Sequence, residues 1–525
     1  MDDPDQPFYG ARATRTHHQG GRLGTEAPVW LGILVLLAGR VALSLHDIRL
    51  PGLQQDETLF VNAATLRLPG IGIVHQIGGI PMMIFHYTGA LKSWIYDPIF
   101  AVAGTSPTAI RLPAVIIVCV GLALVYPAVR TLVNRPVAIL SFAVLCFDNS
   151  VFWLTRDDVG PSTLEFFLKC GALFCVARFA TNRRLRWVVL LLVVLALGVF
   201  NKLNFIWVVN ASLAVSIVLA FKERRSLRVH RRLMTVWGAG LALIYIGWAW
   251  YSIANHIRSG LLQPWHTFAT GMRGTLAGTW FYNYALAPWK APGAAVALIL
   301  VLFLAGVIAS VARRTRSLAV AMMALTTLIL ALEILATKAA MAGWHYVSIY
   351  PFVSVVAAYG VYGLAVTLVH GRRTLAIVLA SAGVLVVTYD GVVLAKYFRV
   401  LHKEPTFVIW TPSIYALSQD LQHSHARVFT ADWGIFEPLY ALHPGRRLTQ
   451  LEYKLEQPTA AQLAVVRRRV SSTSGPKLII THPADDLVFK TANRNLFRAL
   501  GPRLHLVRTI PGADRAPVYD LYAYR

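Results

Sequence analysis

The chain has 525 residues, 56% of them hydrophobic and 14% charged, with a formal net charge of +25. Soluble domains carry about a quarter charged residues, so a soluble globular protein is excluded and a polytopic membrane protein is indicated. The positive charge falls mainly in short loops between apolar runs, where it sets orientation, and this distribution argues against nucleic-acid binding.

In chain order, Met1–Ala27 is a polar tail, too long and polar to be the n-region of a cleaved signal, so the first apolar run reads as an uncleaved anchor. Runs long enough to span a bilayer fall near 28–46, 108–130, 136–154, 162–181, 186–201, 203–221, 233–253, 289–311, 317–337, 345–368 and 373–394, about eleven in all. Alternate loops concentrate Arg130 and Arg135, then Arg178 to Arg186, then Lys222 to Arg232, then Arg313 to Arg316, then Arg372 and Arg373. The intervening loops are poor in cations for their length. The positive-inside rule therefore predicts a cytoplasmic tail over 1–27, a transmembrane domain over 28–398 and an extracytoplasmic domain over 399–525. Arg40, near the outer end of the first span, is expected to snorkel. Glu333, inside the ninth, needs a cavity to face. Cys119, Cys146, Cys170 and Cys175 form no CxxC or Cys/His pattern, so no disulfide framework or zinc site is indicated.

Residues 47–107 form the first outer segment. Its stretch Ile80–Ala103 mixes apolar residues with His86, Lys92 and Asp97. Each such group costs roughly 2.5–3.5 kcal/mol at mid-bilayer, so a helix along the interface, keeping all three wet, is expected; a re-entrant or extra span is the alternative. From about residue 400, strand-like runs at Arg427–Ala431, Lys477–Thr481, Leu504–Thr509 and Val518–Tyr524 are interleaved with helical segments Ala460–Val470 and Val488–Leu500. That alternation predicts a small layered α/β domain.

Three outer connections carry acids and bases. Gln54-Gln55-Asp56-Glu57 follows the first span, and an acidic pair at a membrane edge suits deprotonation of an attacking acceptor; a solvated acidic loop is the plain alternative. In Arg156-Asp157-Asp158-Val159-Gly160-Pro161, Asp157 and Asp158 either face Asp56 across a cleft or cap the next helix. Lys202, alone between two apolar runs, either snorkels or stabilises an anionic leaving group. Lys338 and Gly343-Trp344-His345-Tyr346 form a further polar cluster.

The succession of these motifs resembles the GT-C superfamily of membrane glycosyltransferases, in particular the dolichyl-phosphate-mannose–protein mannosyltransferase group, which includes the lipid A aminoarabinose transferase. Asp56-Glu57 match that group's acidic pair. Gly89–Trp94 and Arg111-Leu112-Pro113 look like its interfacial helix and second-span entrance, Arg156–Pro161 like its second acidic motif, Lys202 like its phosphate lysine, and Gly343–Pro351 like its late aromatic motif. Thr58-Leu59-Phe60 stand where the aminoarabinose transferase has an arginine and tyrosine, so its particular donor and acceptor do not carry over.

The resemblance implies a GT-C-like polytopic α-helical fold with a small C-terminal α/β domain. It further implies an inverting transfer of a sugar from a polyprenyl-phosphate carrier to an extracytoplasmic protein, lipid or glycan, at a bacterial inner membrane. Asp56 would be the general base, with Glu57 and Asp158, the other catalytic residues, positioning the acceptor or the base. Lys202, Lys92, Arg156, His345 and Tyr346 would contact the donor phosphate. No metal is needed, because lysine can neutralise a lipid monophosphate, and no cofactor motif is visible. The rival reading is a transporter or lipid-carrier flippase, which tends to show paired halves and midplane charges; no duplication is seen here. Ala431-Asp432-Trp433-Gly434 looks like part of the C-terminal extensions of some bacterial members.

Overall fold

The computed structural model describes residues 22–65, 73–222, 231–257, 260–281, 292–312, 315–338, 343–403, 410–443, 447–512 and 514–525. Helix α1 (Arg22–Leu45) is followed by a turn and the short α2 (Gln55–Ala64). A small antiparallel sheet then joins β1 (His75–Ile77), β2 (Ile80–Phe85) and β3 (Thr88–Gly89). Next come α3 (Leu91–Ala103), α4 (Pro107–Leu132), α5 (Arg135–Phe147), α6 (Asn149–Arg156), α7 (Ser162–Asn182), α8 (Leu185–Asn201), α9 (Ile206–Lys222) and α10 (Arg231–Ala254). Strand β4 (Gly260–Leu261), α11 (Trp265–Leu276), α12 (Gly293–Val311), α13 (Leu318–Ala336), β5 (Thr337–Lys338), α14 (Gly343–Tyr346), α15 (Phe352–Leu368) and the 32-residue α16 (Arg372–Lys403) complete the helical part.

Among the described residues, seven helices are long and apolar enough to cross a membrane, or up to nine spans if each of two bent pairs counts as one. Helix α7 carries Glu165, Lys169 and Arg178, and α8 has 17 residues. One bent pair is α5 with α6, angled by 52°. At this break Asp148 caps α6 by accepting the Val151 amide at 3.0 Å. Arg40 does not snorkel: it is buried and donates to the Cys146 carbonyl at 2.7 Å and to Thr155 Oγ1 at 2.8 Å. A helix break exposes backbone acceptors that must be satisfied internally when water is absent, and Arg40 satisfies one. Glu333 has its polar neighbour inside the bundle, accepting from Asn210 Nδ2 at 2.6 Å, while Tyr245 donates to Asn210 Oδ1.

The stretch Ile80–Ala103 differs from expectation. Its first half is the β2–β3 hairpin, and only Leu91–Ala103 is helical. His86 and Asp97 are exposed, but Lys92 is wholly buried, because a carboxylate supplied from a distant loop removes its need for water.

The C-terminal segment builds a five-stranded sheet in the order β7 (Leu448–Gln450), β6 (Arg427–Thr430), β8 (Lys477–Thr481), β10 (Pro517–Tyr524), β9 (Leu504–Pro511). The first three strands are parallel and β10 runs antiparallel to both neighbours. Side chains alternate across a strand, so Val428 and Ile480 enter one core with α17 (Ser413–Gln422) and α18 (Phe436–Leu442). Phe429 and Ile479 enter the other with α19 (Ala460–Ser471) and α20 (Ala492–Leu500). Helix α18 lies directly on α2. Gly52 fits there because a Cβ would stand 2.0 Å from the Thr411 carbonyl oxygen.

Candidate active site

The site is organised by two buried guanidiniums that gather the turn between α1 and α2. Arg156 donates to the carbonyls of Ser44, His46, Asp47 and Leu50 at 2.6–3.1 Å, and to Asp157 Oδ1 at 2.7 Å. Arg111 donates to the carbonyls of Ile48, Pro51 and Gly52 and grips both Glu57 oxygens, at 2.7 and 3.0 Å. Such bidentate pairs are strong and directional, and they fix where α2 begins. Gln54 caps that helix, accepting the Asp56 amide at 2.6 Å and the Glu57 amide at 3.3 Å, while Glu57 Oε2 accepts the Gln54 amide at 3.3 Å. This is the reciprocal capping box.

These bonds show what the sequence-derived candidates touch. Glu57 and Arg156 are fully buried and spent on internal partners. Lys92 is likewise occupied: its ammonium meets Asp158 Oδ2 at 2.8 Å and the carbonyls of Asp158 and Gly160 at 2.8 and 2.9 Å, over the Phe60 ring. A desolvated charge is tolerated when paired and hydrogen-bonded, so these motif residues neutralise one another and leave no valence for a phosphate. Asp158 sits at positive φ (48°) beside Lys92, its carboxyl pushed up to about 6 by burial against the pull of that lysine. Tyr346 is buried, its hydroxyl donating to Gln263 Oε1 at 3.0 Å and the Thr267 carbonyl at 3.2 Å, whereas His345 is partly exposed beside Trp344.

Asp56 is different. It alone in the Gln54–Glu57 run is partly open. Desolvation raises its carboxyl to about 6, opposed by the charge of Lys202, the hydrogen bond from the Gln54 region and the charge of Lys92. Lys202 occupies an extended break between α8 and a short 3-10 turn, Leu203–Phe205. The β3 end of the hairpin pairs with it: Thr88 bridges Lys202 antiparallel, and the Leu203 amide donates to the Tyr87 carbonyl at 3.0 Å. Lys202 is 2% exposed, and its Nζ has no hydrogen-bond partner among the described residues. The carboxylates whose charge it feels are Glu165 and Asp56. Gly89 lets the hairpin approach so closely, since a Cβ would lie 2.0 Å from the Phe200 carbonyl oxygen. Gly89→Ala should therefore displace the hairpin from Lys202 at roughly 1–3 kcal/mol of overpacking; a donor-binding titration should show weaker binding with little change in the helical content.

Near enough to Lys202 for its charges to be felt there lies a second polar set that the sequence reading missed. Lys169 Nζ stands 3.4 Å from Glu165 Oε1 and donates to the Ser348 carbonyl at 3.0 Å, and Ser348 Oγ donates to Glu165 Oε1 at 2.7 Å. The available signal was Glu165 and Lys169 four residues apart in an otherwise apolar run, which places both on one helix face and, in a membrane, points that face inward.

The C-terminal segment completes the rim. Gln55 donates to the Tyr453 hydroxyl at 3.1 Å and accepts the Gly434 amide at 2.7 Å; Asn62 donates to Glu437 Oε2 at 2.6 Å. Within Ala431–Gly434, Asp432 acts as a staple, accepting the amides of Trp433, Val488 and Phe489 at 2.9–3.0 Å. Burial raises the carboxyl of Glu437 to about 7 and that of Glu452 to about 8. Both raised values mean that the folded state holds protons the unfolded state releases above about 4.5, so stability falls as pH rises from about 4.5 to 8 and then levels. Glu452→Gln should remove much of that slope and raise the unfolding temperature at pH 8, as thermal melts across pH will show.

Residues 89–251 match the family model described as dolichyl-phosphate-mannose-protein mannosyltransferase. No curated protein matches the chain in sequence. In fold it is similar to ArnT from Cupriavidus metallidurans: the apo structure has 12% identity and TM-score 0.60, and the undecaprenyl phosphate-bound structure 13% and 0.58. Each comparison covers 95% of this chain and 98% of that one. The archaeal oligosaccharyltransferase AglB from Archaeoglobus fulgidus, solved with an inhibitory peptide and a dolichol-phosphate, has 10% identity and TM-score 0.51, covering 87% of this chain and 70% of that one. The chain thus has the fold of ArnT and, over residues 89–251, resembles the dolichyl-phosphate-mannose-protein mannosyltransferase family, in keeping with its motif order.

Proposed function

We propose that this protein transfers a sugar from a polyprenyl-phosphate carrier to an acceptor at the extracytoplasmic face, with inversion at the anomeric carbon. The observation that carries the reading is that Asp56, partly open and with its carboxyl raised to about 6, feels the charge of Lys202, a buried ammonium without a hydrogen-bond partner among the described residues. Acids and cations around them are consumed in internal pairs, so these two remain for chemistry. The partners that ArnT and AglB were solved with, undecaprenyl phosphate and dolichol-phosphate, support a lipid-linked donor here.

In the step, Asp56 takes the proton from an acceptor hydroxyl or amine as that atom attacks the anomeric carbon. The bond from that carbon to the carrier's phosphate oxygen breaks, its electron pair leaves with the phosphate, and Lys202 stabilises the charge that develops. Inversion follows from a single displacement. Glu57, Arg111, Arg156, Asp157, Lys92 and Asp158 are positioning residues that set the pitch of α2 and the turn before it. The distribution of Lys and Arg supports about eleven spans, an inside N-terminus and an outside C-terminal domain.

The test uses purified full chain, a radiolabelled polyprenyl-phosphate sugar and membrane extract as acceptor. Label should pass to acceptor with release of free lipid phosphate; Lys202→Ala should abolish release and Lys202→Arg retain part of it. A chain that binds the carrier without consuming it overturns the reading and favours transport.

A further inference from the structure

Away from α2 and Lys202, the end of the first long helix meets the end of the last. His46 and Asp47 lie in the turn after α1, and His402 lies in the final turn of α16. Asp47 Oδ2 stands 3.0 Å from His46 Nε2 and 2.7 Å from His402 Nε2. One ligand atom from each of the three residues falls within 4.8 Å of the others. We propose that these residues form a binding site for a zinc-like divalent transition metal, with His46 Nε2, His402 Nε2 and one Asp47 oxygen as protein ligands and water in the remaining position.

Two imidazoles and a carboxylate are the donor set that borderline cations such as zinc accept, with bonds of about 2.0–2.2 Å. Tetrahedral bonds of that length separate ligand atoms by about 3.3 Å, so the two gaps to Asp47, 3.0 and 2.7 Å, open slightly on binding, and the two imidazole nitrogens, which lie within 4.8 Å of each other, adjust to the same separation by rotation of exposed side chains. The backbone is already held for this. Asp47 takes a positive φ of 48°, uncommon for a residue other than glycine, and the His46 and Asp47 carbonyls are both fixed by Arg156 Nη2 at 2.8 Å. The His46 ring packs edge-on to Phe398, one turn before His402 on α16. Side chains of His46 and His402 remain 59% and 51% exposed, so a cation reaches them from solvent.

The metal's role is structural. None of its ligands belongs to the Asp56–Lys202 cluster, but all three border the turn whose carbonyls Arg156 and Arg111 gather and which leads into α2. A metal there ties the last span to the frame of the candidate active site.

The experiment uses the tag-free full chain in detergent, freed of metal by chelation, and Zn2+ alone as the probe. One Zn2+ per chain should remain after dialysis, with a higher unfolding temperature. His46→Ala and His402→Ala should each weaken zinc binding tenfold or more while leaving the metal-free unfolding temperature unchanged, as expected of half-exposed side chains. Because the N-terminal tail also contains His17 and His18, a His17→Ala/His18→Ala chain is measured in parallel and should bind as the parent does. Zinc binding that survives both His46→Ala and His402→Ala, that vanishes with the tail histidines, or that is absent from the parent chain overturns the proposal.

Discussion

Replacing Asp56 by Asn should lower kcat by about 10²- to 10⁴-fold, the usual contribution of a positioned general base, while donor binding changes little. The asparagine keeps the size of the side chain and its place after the Gln54 cap, whose bonds to α2 run through backbone amides rather than the Asp56 carboxylate. Only the proton acceptor is lost. The pH profile carries a second readout. With the carboxyl raised to about 6 by burial, the parent enzyme should gain nearly tenfold in kcat/KM per pH unit below 6 and level off above it, because the ionised form is the active one. The Asn variant should keep a small, nearly flat residual rate across that window. A folded Asp56→Asn chain with near-parental turnover, or an unchanged acid limb, removes Asp56 from the chemistry.

The second large effect concerns stability. Arg111→Leu should destabilise the chain by about 3–5 kcal/mol, the cost of leaving a buried charge without its partner. Glu57 loses both of its guanidinium contacts, and the carbonyls of Ile48, Pro51 and Gly52 lose their donor in the same stroke. Glu57→Gln should be milder, since the amide oxygen still accepts from Arg111 and Asp157 lies 3.7 Å from that guanidinium. Thermal unfolding in detergent measures both. The pair also separates positioning from catalysis: if Glu57 only aims α2, Glu57→Gln retains the pH profile of the parent and loses rate mainly through kcat in step with its loss of order. A change in the acid limb on Glu57→Gln would instead make Glu57 a reacting group.

Motif order says which residues come near the outer face but not which way each points. Lys92 meets Asp158, 66 residues away, and Arg111 meets Glu57, 54 residues away. In a site from which water is largely excluded, the requirement that each charge be paired selects among the candidates, and that selection is made by contacts distant in sequence. Asp56 is left partly open, and Lys202 without a hydrogen-bond partner among the described residues, only after the pairing is complete.

Local pattern was enough for what depends on local physics. Apolar runs of spanning length, the concentration of Arg in alternate loops and the β-rich runs after residue 400 are set by transfer of side chains from water and by backbone propensity, which act along the chain. Hence the helical segments and strands β6, β8, β9 and β10 were legible, and Asp56 and Lys202 could be named as candidates. The β2–β3 hairpin over Ile80–Gly89, the seat of α18 on α2, the Glu165–Lys169–Ser348 set and the meeting of His46 with His402 were decided by the tertiary structure. Each joins segments tens to hundreds of residues apart, and the free energy of such contacts comes from shape, pairing and desolvation between surfaces that no window of sequence contains.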